Sequence, residues 1–253
     1  MKESILDHRL LTERYFFPRK EKFENPFWVE KPNENIRLSC YYHNKHPNAK
    51  TVIYFHGNGE EVSDAIGLFV PVFEKMEINL FLAEYRGYGM SGGTPGLSVM
   101  LSDVEYIVKA TGQPVENLVL FGRSIGSLYA VHGASVFPNI SGLIIESGIS
   151  NLLERVLMRA EPEQLGLNME ELQAVVDKEF NHREKLAQFK GSTMVLHALH
   201  DSMVHCDHGK QLFEWAPHPK VMKLFDEGDH NDIFFVNAEE YFKLVYQFIA
   251  QLA

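Results

Sequence analysis

Two cysteines in 253 residues, Cys40 and Cys206, are too few and too far apart for a disulfide framework, and they lack metal-ligand spacing. Both read as reduced, packed thiols. No apolar run approaches the ~20 residues needed to cross a bilayer. The first twenty positions scatter Lys2, Glu3, Asp7, His8, Arg9, Glu13 and Arg14 among their apolar residues, unlike the uninterrupted centre of a signal peptide. A cytoplasmic protein without a membrane span is therefore expected. Positive charge is also scarce: 24 Lys and Arg against 34 Asp and Glu leave a formal net charge of -10. That balance argues against general affinity for nucleic acid or anionic lipid. Internal repeats and low-complexity tracts are lacking too.

What is present is the composition of an ordinary globular chain, 45% hydrophobic and 23% charged. One α/β domain spanning residues 1–253 accounts for the length. Apolar runs bounded by turn residues mark strands at 36–42, 51–55, 78–84, 118–121, 143–145, 193–196 and 221–225. Between them lie helical stripes, such as Val62, Ile66, Phe69, Val70 and Phe73, or Leu97, Leu101, Val104, Ile107 and Val108. Strands alternating with helices imply a mostly parallel sheet covered on both faces. A last helix through Tyr241, Val245 and Ile249 has Asn237 three residues before Glu240, the spacing of a capping box. From 148 to about 190 no strand is expected, only helical pieces. An insertion of that length reads as a small helical cap over a site, with two extra packing helices as the plainer alternative.

Gly122-Arg123-Ser124-Ile125-Gly126 follows the strand at 118–121 and precedes a helix-like stretch. A serine on a tight strand-to-helix turn needs small neighbours, because strand and helix approach closely there. Its hydroxyl would stand clear of the sheet, beside the unpaired N–H groups of a helix N-terminus. A serine nucleophile needs a base, and the base needs an orienting group. Among twelve histidines, His230 stands out because Gly228-Asp229-His230-Asn231-Asp232 lies just past the strand at 221–225. A solvated surface histidine is the alternative. Asp201, just past the strand at 193–196, can orient the imidazole or cap the following helix. Asp207, Asp226 and Asp229 suit the role less well. His56-Gly57-Asn58-Gly59 follows the strand at 51–55, so the N–H groups of Asn58 and Ile125 are the expected oxyanion donors. The loop lacks the lysine and spacing of a phosphate-binding loop. His197, His200, His205 and His208 match no metal-ligand spacing, and no metal is expected.

Five motifs in this order resemble the α/β-hydrolase superfamily, in its branch of small serine esterases, thioesterases and aminopeptidase-like hydrolases. They are His56 to Gly59, Tyr85-Arg86-Gly87-Tyr88-Gly89 with Ser91 and Gly93, Gly122 to Gly126, Asp201 with Val204, and Gly228 to Asp232. The resemblance spans about 36 to 248. It implies an eight-stranded, mostly parallel sheet with an antiparallel strand near its start, and no cofactor. The chain departs from the branch at Ala198, where glycine is usual, and at Glu84, where aspartate is usual. The expected activity is hydrolysis of a carboxylic ester or thioester of small-molecule size through an acyl-enzyme on Ser124. A non-catalytic binding protein, an acyltransferase or a peptidase with the same triad stay open, as does oligomeric state.

Overall fold

In the computed structural model, which describes residues 4–252, the sheet has eight strands. They are β1 (Phe27–Lys31), β2 (Ile36–His43), β3 (Thr51–Phe55), β4 (Asn79–Ala83), β5 (Leu118–Arg123), β6 (Gly142–Glu146), β7 (Ser192–Ala198) and β8 (Lys220–Phe225). Their order across the sheet is β1-β2-β4-β3-β5-β6-β7-β8. Only the β1–β2 and β2–β4 pairings are antiparallel, so β2 is the reversed strand near the start. All other neighbours are parallel. This is the α/β-hydrolase architecture expected from the motifs. The run 27–31, closed in by Pro26 and Pro32, is an additional strand that the apolar pattern does not single out.

Helices cover both faces because successive strand residues face opposite ways. On β3, Ile53 and Phe55 join one core while Val52 and Tyr54 join the other. The first core is closed by α1 (Arg9–Tyr15), α3 (Leu101–Ala110), α4 (Gly126–Val136) and α8 (Cys206–Trp215). The second is closed by α2 (Val62–Lys75), α9 (Ile233–Val236) and α10 (Ala238–Ala250). Asn237 stands at the start of α10 but does not cap it; its amide donates instead to the carbonyls of Glu227 and Ile233. No helix among the described residues is long and apolar enough to cross a membrane. Both cysteines are free and buried.

Between β6 and β7 the chain forms α5 (Leu152–Leu157), α6 (Met169–Phe180) and α7 (His182–Ala187). Leu152 and Val156 are buried in the first core and Leu153 and Leu157 pack against it, leaving Met158 exposed. The stripe on α5 is thus mainly core. Where α7 packs against α4, His182 is buried and, among the described residues, neither of its ring nitrogens is bonded and Nδ1 of the neighbouring His132 also lacks a partner. Burial, then the Lys185 charge, pulls His132 down to about 4. Burial, then Lys185 and His132, pulls His182 down to about 3. Both rings are therefore neutral in the folded protein where an unfolded chain, with pKa about 6.5, already takes up protons. Stability is lost as pH falls from about 6.5 towards these lowered values, at a limiting ~1.4 kcal/mol per pH unit for each ring. Urea unfolding at pH 7 and pH 5 should show this loss, and His182→Leu should reduce it; an unchanged pH dependence in that variant would refute the assignment.

Candidate active site

β5 runs apolar to its last turn and ends at Arg123, and Ser124 then takes a left-handed φ of +53°. A non-glycine residue there stores on the order of 1–3 kcal/mol of strain. The turn is held by the Ser124 N–H donating to the Glu146 carbonyl at 2.9 Å, and by the Ser127 hydroxyl donating to the Ser124 carbonyl at 2.6 Å. The flanking glycines are required by contact. A Cβ on Gly122 would lie 2.5 Å from the Gly126 carbonyl oxygen, and one on Gly126 would collide with the Phe55 carbonyl.

The fold brings the three nominated side chains together. Ser124 Oγ lies 2.9 Å from His230 Nε2, and His230 Nδ1 lies 2.8 Å from Asp201 Oδ2. With Nδ1–H donating to the carboxylate, Nε2 is the acceptor for the serine hydroxyl. All three are buried. Asp201 Oδ1 accepts the N–H groups of Met203 at 2.9 Å and Val204 at 2.7 Å. Those bonds fix the loop ahead of α8, while the helix itself is capped by His205. Burial opposes ionisation of Asp201, but hydrogen bonds from His197, His230 and the Val204 amide hold it well below the usual carboxylate range. His197 lies beside Asp201 and bonds the Val204 carbonyl at 2.8 Å; His208 bonds Ser150; His200 and His205 are exposed. The four do not converge.

Asn58 and Ile125 sit on facing loops, and among the described residues neither backbone N–H has a protein acceptor. His56 explains how the first is aimed. Its Nε2 bonds Glu84 at 2.8 Å and its Nδ1 bonds the Gly57 carbonyl at 2.8 Å. Burial disfavours its charge, but Glu84 and the Gly57 carbonyl, acceptors facing its two nitrogens, raise its pKa overall. In a trans peptide, a Gly57 carbonyl held towards the imidazole turns the Asn58 N–H the opposite way. The Glu84 departure thus supports this loop, and its other oxygen accepts the Val62 N–H at 3.0 Å. The Asn58 side chain faces elsewhere, accepting from Tyr88 Oη at 2.8 Å and donating to the Tyr15 carbonyl. Residues 14–19 continue this contact: Arg14 donates to the Arg159 carbonyl at 2.8 Å and to Gln164 at 3.1 Å, and Arg19 pairs with Asp64.

Two supporting groups escape motif reading. Arg123, 3% exposed at its side chain, donates Nη2 to the His230 carbonyl at 2.6 Å and to Asn231 Oδ1 at 3.3 Å. Its Nε bonds Glu146 Oε1 at 3.0 Å, Nη1 pairs with Glu60, and Tyr241 donates to the other Glu146 oxygen. Burial opposes the guanidinium charge, but Glu60 and Glu146 hold it fully protonated. The available signal was a pair of opposite charges, Arg123 and Glu146, each ending an apolar strand. Asp229 is the second group. Its carboxylate accepts Ser202 N–H and Ser202 Oγ, both at 2.7 Å, together with the His230 N–H at 2.6 Å, which joins the acid and histidine loops.

Residues 46–176, just over half of the chain, match the family described as serine aminopeptidase, S33. Alpha/beta hydrolase domain-containing protein 17B of Homo sapiens is 25% identical over 249 residues, covering 95% of this chain and 81% of the human one. The Xenopus tropicalis protein of the same name matches to the same extent. Among solved structures, the Pyrococcus furiosus esterase Pf2001 superposes with a TM-score of 0.72 at 17% identity, covering 94% of this chain and 96% of that one. Est1E from Butyrivibrio proteoclasticus, bound to ferulic acid, gives a TM-score of 0.72 at 14% identity over 89% and 100% of the two chains. With the strand order and the converging side chains, these matches show that the chain belongs to the serine aminopeptidase S33 family of α/β-hydrolases.

Proposed function

We propose that this protein is a serine hydrolase that cleaves a carboxylic ester or thioester through an acyl-enzyme on Ser124. The observation that carries the reading is the unbroken bonding from Asp201 Oδ2 through His230 to Ser124 Oγ, at 2.8 and 2.9 Å. His230 Nε2 takes the hydroxyl proton as Ser124 attacks the carbonyl, and then gives it to the leaving group. The acyl-enzyme is hydrolysed by a water that the same nitrogen deprotonates. Asp201 keeps the ring in the required tautomer and stabilises the imidazolium. The Asn58 and Ile125 N–H groups receive the oxyanion. Arg123 acts as a positioning residue, because it holds the backbone of His230 against the strand that delivers the nucleophile. The helical insertion, which Arg14 ties to the segment holding Asn58, serves as a small cap, and the buried free thiols suit a cytoplasmic enzyme.

Three observations favour an ester or thioester over a peptide. Exposed Phe17 lies beside Gly59 of the oxyanion loop, and exposed Met203 lies beside Asn231 of the histidine loop, so apolar side chains flank both loops. Two carboxylates near the triad are occupied by protein donors, Glu60 by Arg123 and the Gly57 N–H, and Asp229 by Ser202 and His230. A peptide amino terminus would need such a group free. Two structural neighbours are, by name or bound ligand, esterases or a ferulic acid binder.

A fluorophosphonate probe should label the folded protein, and Ser124→Ala should abolish labelling and lower p-nitrophenyl ester turnover by about four orders of magnitude or more. Labelling that survives in Ser124→Ala would refute the assignment, and an unlabelled folded wild type would favour a binding protein. Because Asp201 is held ionised well into acid, loss of a single base should govern the acid limb of kcat/KM. A slope of one is expected there, and a slope of two would show that the Asp201 carboxylate is lost over the same range. Arg123→Lys keeps a charge beside Glu146 but loses the planar fork. It should lower kcat roughly 10- to 100-fold with little change in KM, as a displaced catalytic group does. Unaltered kcat in this variant would remove Arg123 from the positioning role.

A further inference from the structure

We propose that His43, His46 and Glu74 form a binding site for a divalent transition metal ion, with zinc the best match. These residues lie far from the triad in the topology. His43 ends β2 and pairs with Leu80 near the start of β4, which places it at the sheet edge opposite the rim that carries Ser124. His46 follows three residues later in the loop to β3, and Glu74 lies in the last turn of α2. Their ligand atoms all lie within 4.8 Å of one another. The sequence expectation of no metal rests on other histidines and does not reach this grouping, which only the fold assembles.

The loop is held in place from within. Asn79, 1% exposed, accepts the N–H groups of Lys45 at 3.0 Å and His46 at 2.9 Å, and donates to the His46 carbonyl at 2.7 Å. The Nε2 atoms of both imidazoles are buried, and neither makes an aligned hydrogen bond. Nε2 of His43, whose side chain is 5% exposed, lies against Glu74 Oε2. Among the described residues Nε2 of His46 has no hydrogen-bond partner, an unfavourable condition for a buried polar atom. A cation at the common point would take both lone pairs and the carboxylate oxygen. Lys45 Nζ lies 3.5 Å from the other oxygen, Glu74 Oε1, where it steadies the carboxylate without occupying the ligating side.

Two imidazoles and one carboxylate are a borderline nitrogen and oxygen donor set, the kind zinc takes, and they leave a fourth position for water. The ion would tie the β2–β3 loop to the end of α2, the helix whose other end follows the oxyanion loop. A second grouping, His205, Cys206 and Asp207, has both its histidine and its aspartate exposed, and it serves as the control.

The test is zinc titration of the full chain, stripped with chelator, by calorimetry and by the shift in melting temperature. One saturable zinc per chain is expected, together with a zinc-dependent rise in melting temperature. His46→Ala and Glu74→Gln should each weaken binding by about 100-fold or more, since even an outer-shell loss costs 10- to 100-fold. His205→Ala should leave it intact. The proposal is overturned if folded wild type shows no saturable binding, if His46→Ala and Glu74→Gln bind as tightly as wild type, or if binding is lost only in His205→Ala.

Discussion

The buried Arg123 guanidinium is the interaction on which the arrangement around Ser124 depends. It belongs to the strand that delivers the serine, yet its outer nitrogen bonds the backbone of His230, more than a hundred residues away in sequence. A cation in that position is tolerable only because Glu146, Glu60 and Tyr241 surround it with opposite charge and hydrogen bonds. Taking away one member would leave the others buried and unmatched, so the group stands or falls together. Even Gly57 belongs to this constraint, since a Cβ there would lie 2.5 Å from an Arg123 nitrogen. The loop at 56–59, the turn at Ser124 and the loop that carries His230 are therefore registered by one side chain.

Much of the fold is legible in the sequence because the physics that forms it is local. Continuous apolar runs such as 118–121 must be buried on both faces, and stripes at three- and four-residue spacing must face a core. Ser124, Asp201 and His230 are legible for a related reason: each sits immediately beyond such a run, and parallel strands deliver all their ends to one rim. β1 escapes notice because its five residues mix charge with apolar groups between two prolines. Asn237 shows the limit of spacing arguments, for its side chain has two carbonyls within reach in three dimensions that the sequence does not place there.

Side-chain partnerships across the molecule were the least legible. Glu84 in place of aspartate reads as a departure, yet the longer carboxylate reaches both His56 and the Val62 N–H. Nothing in linear spacing links His43 and His46 to Glu74, because the contact exists only once β2 and the end of α2 lie against the same edge. Arg123 occupies the variable place of its motif, where pattern matching discards identity. In each case the information lies in what a charged group meets when apolar neighbours have fixed its position.

The segment that carries Arg14, Tyr15 and Arg19 has a mechanical consequence. It grips the helical insertion at Arg159 and Gln164, then runs on to hold the side chain of Asn58 and the first turn of α2. Displacing the insertion pulls on the same strap that seats Asn58. The position of the insertion and that of the peptide after Gly57 are thus geared to each other through fewer than ten residues of backbone.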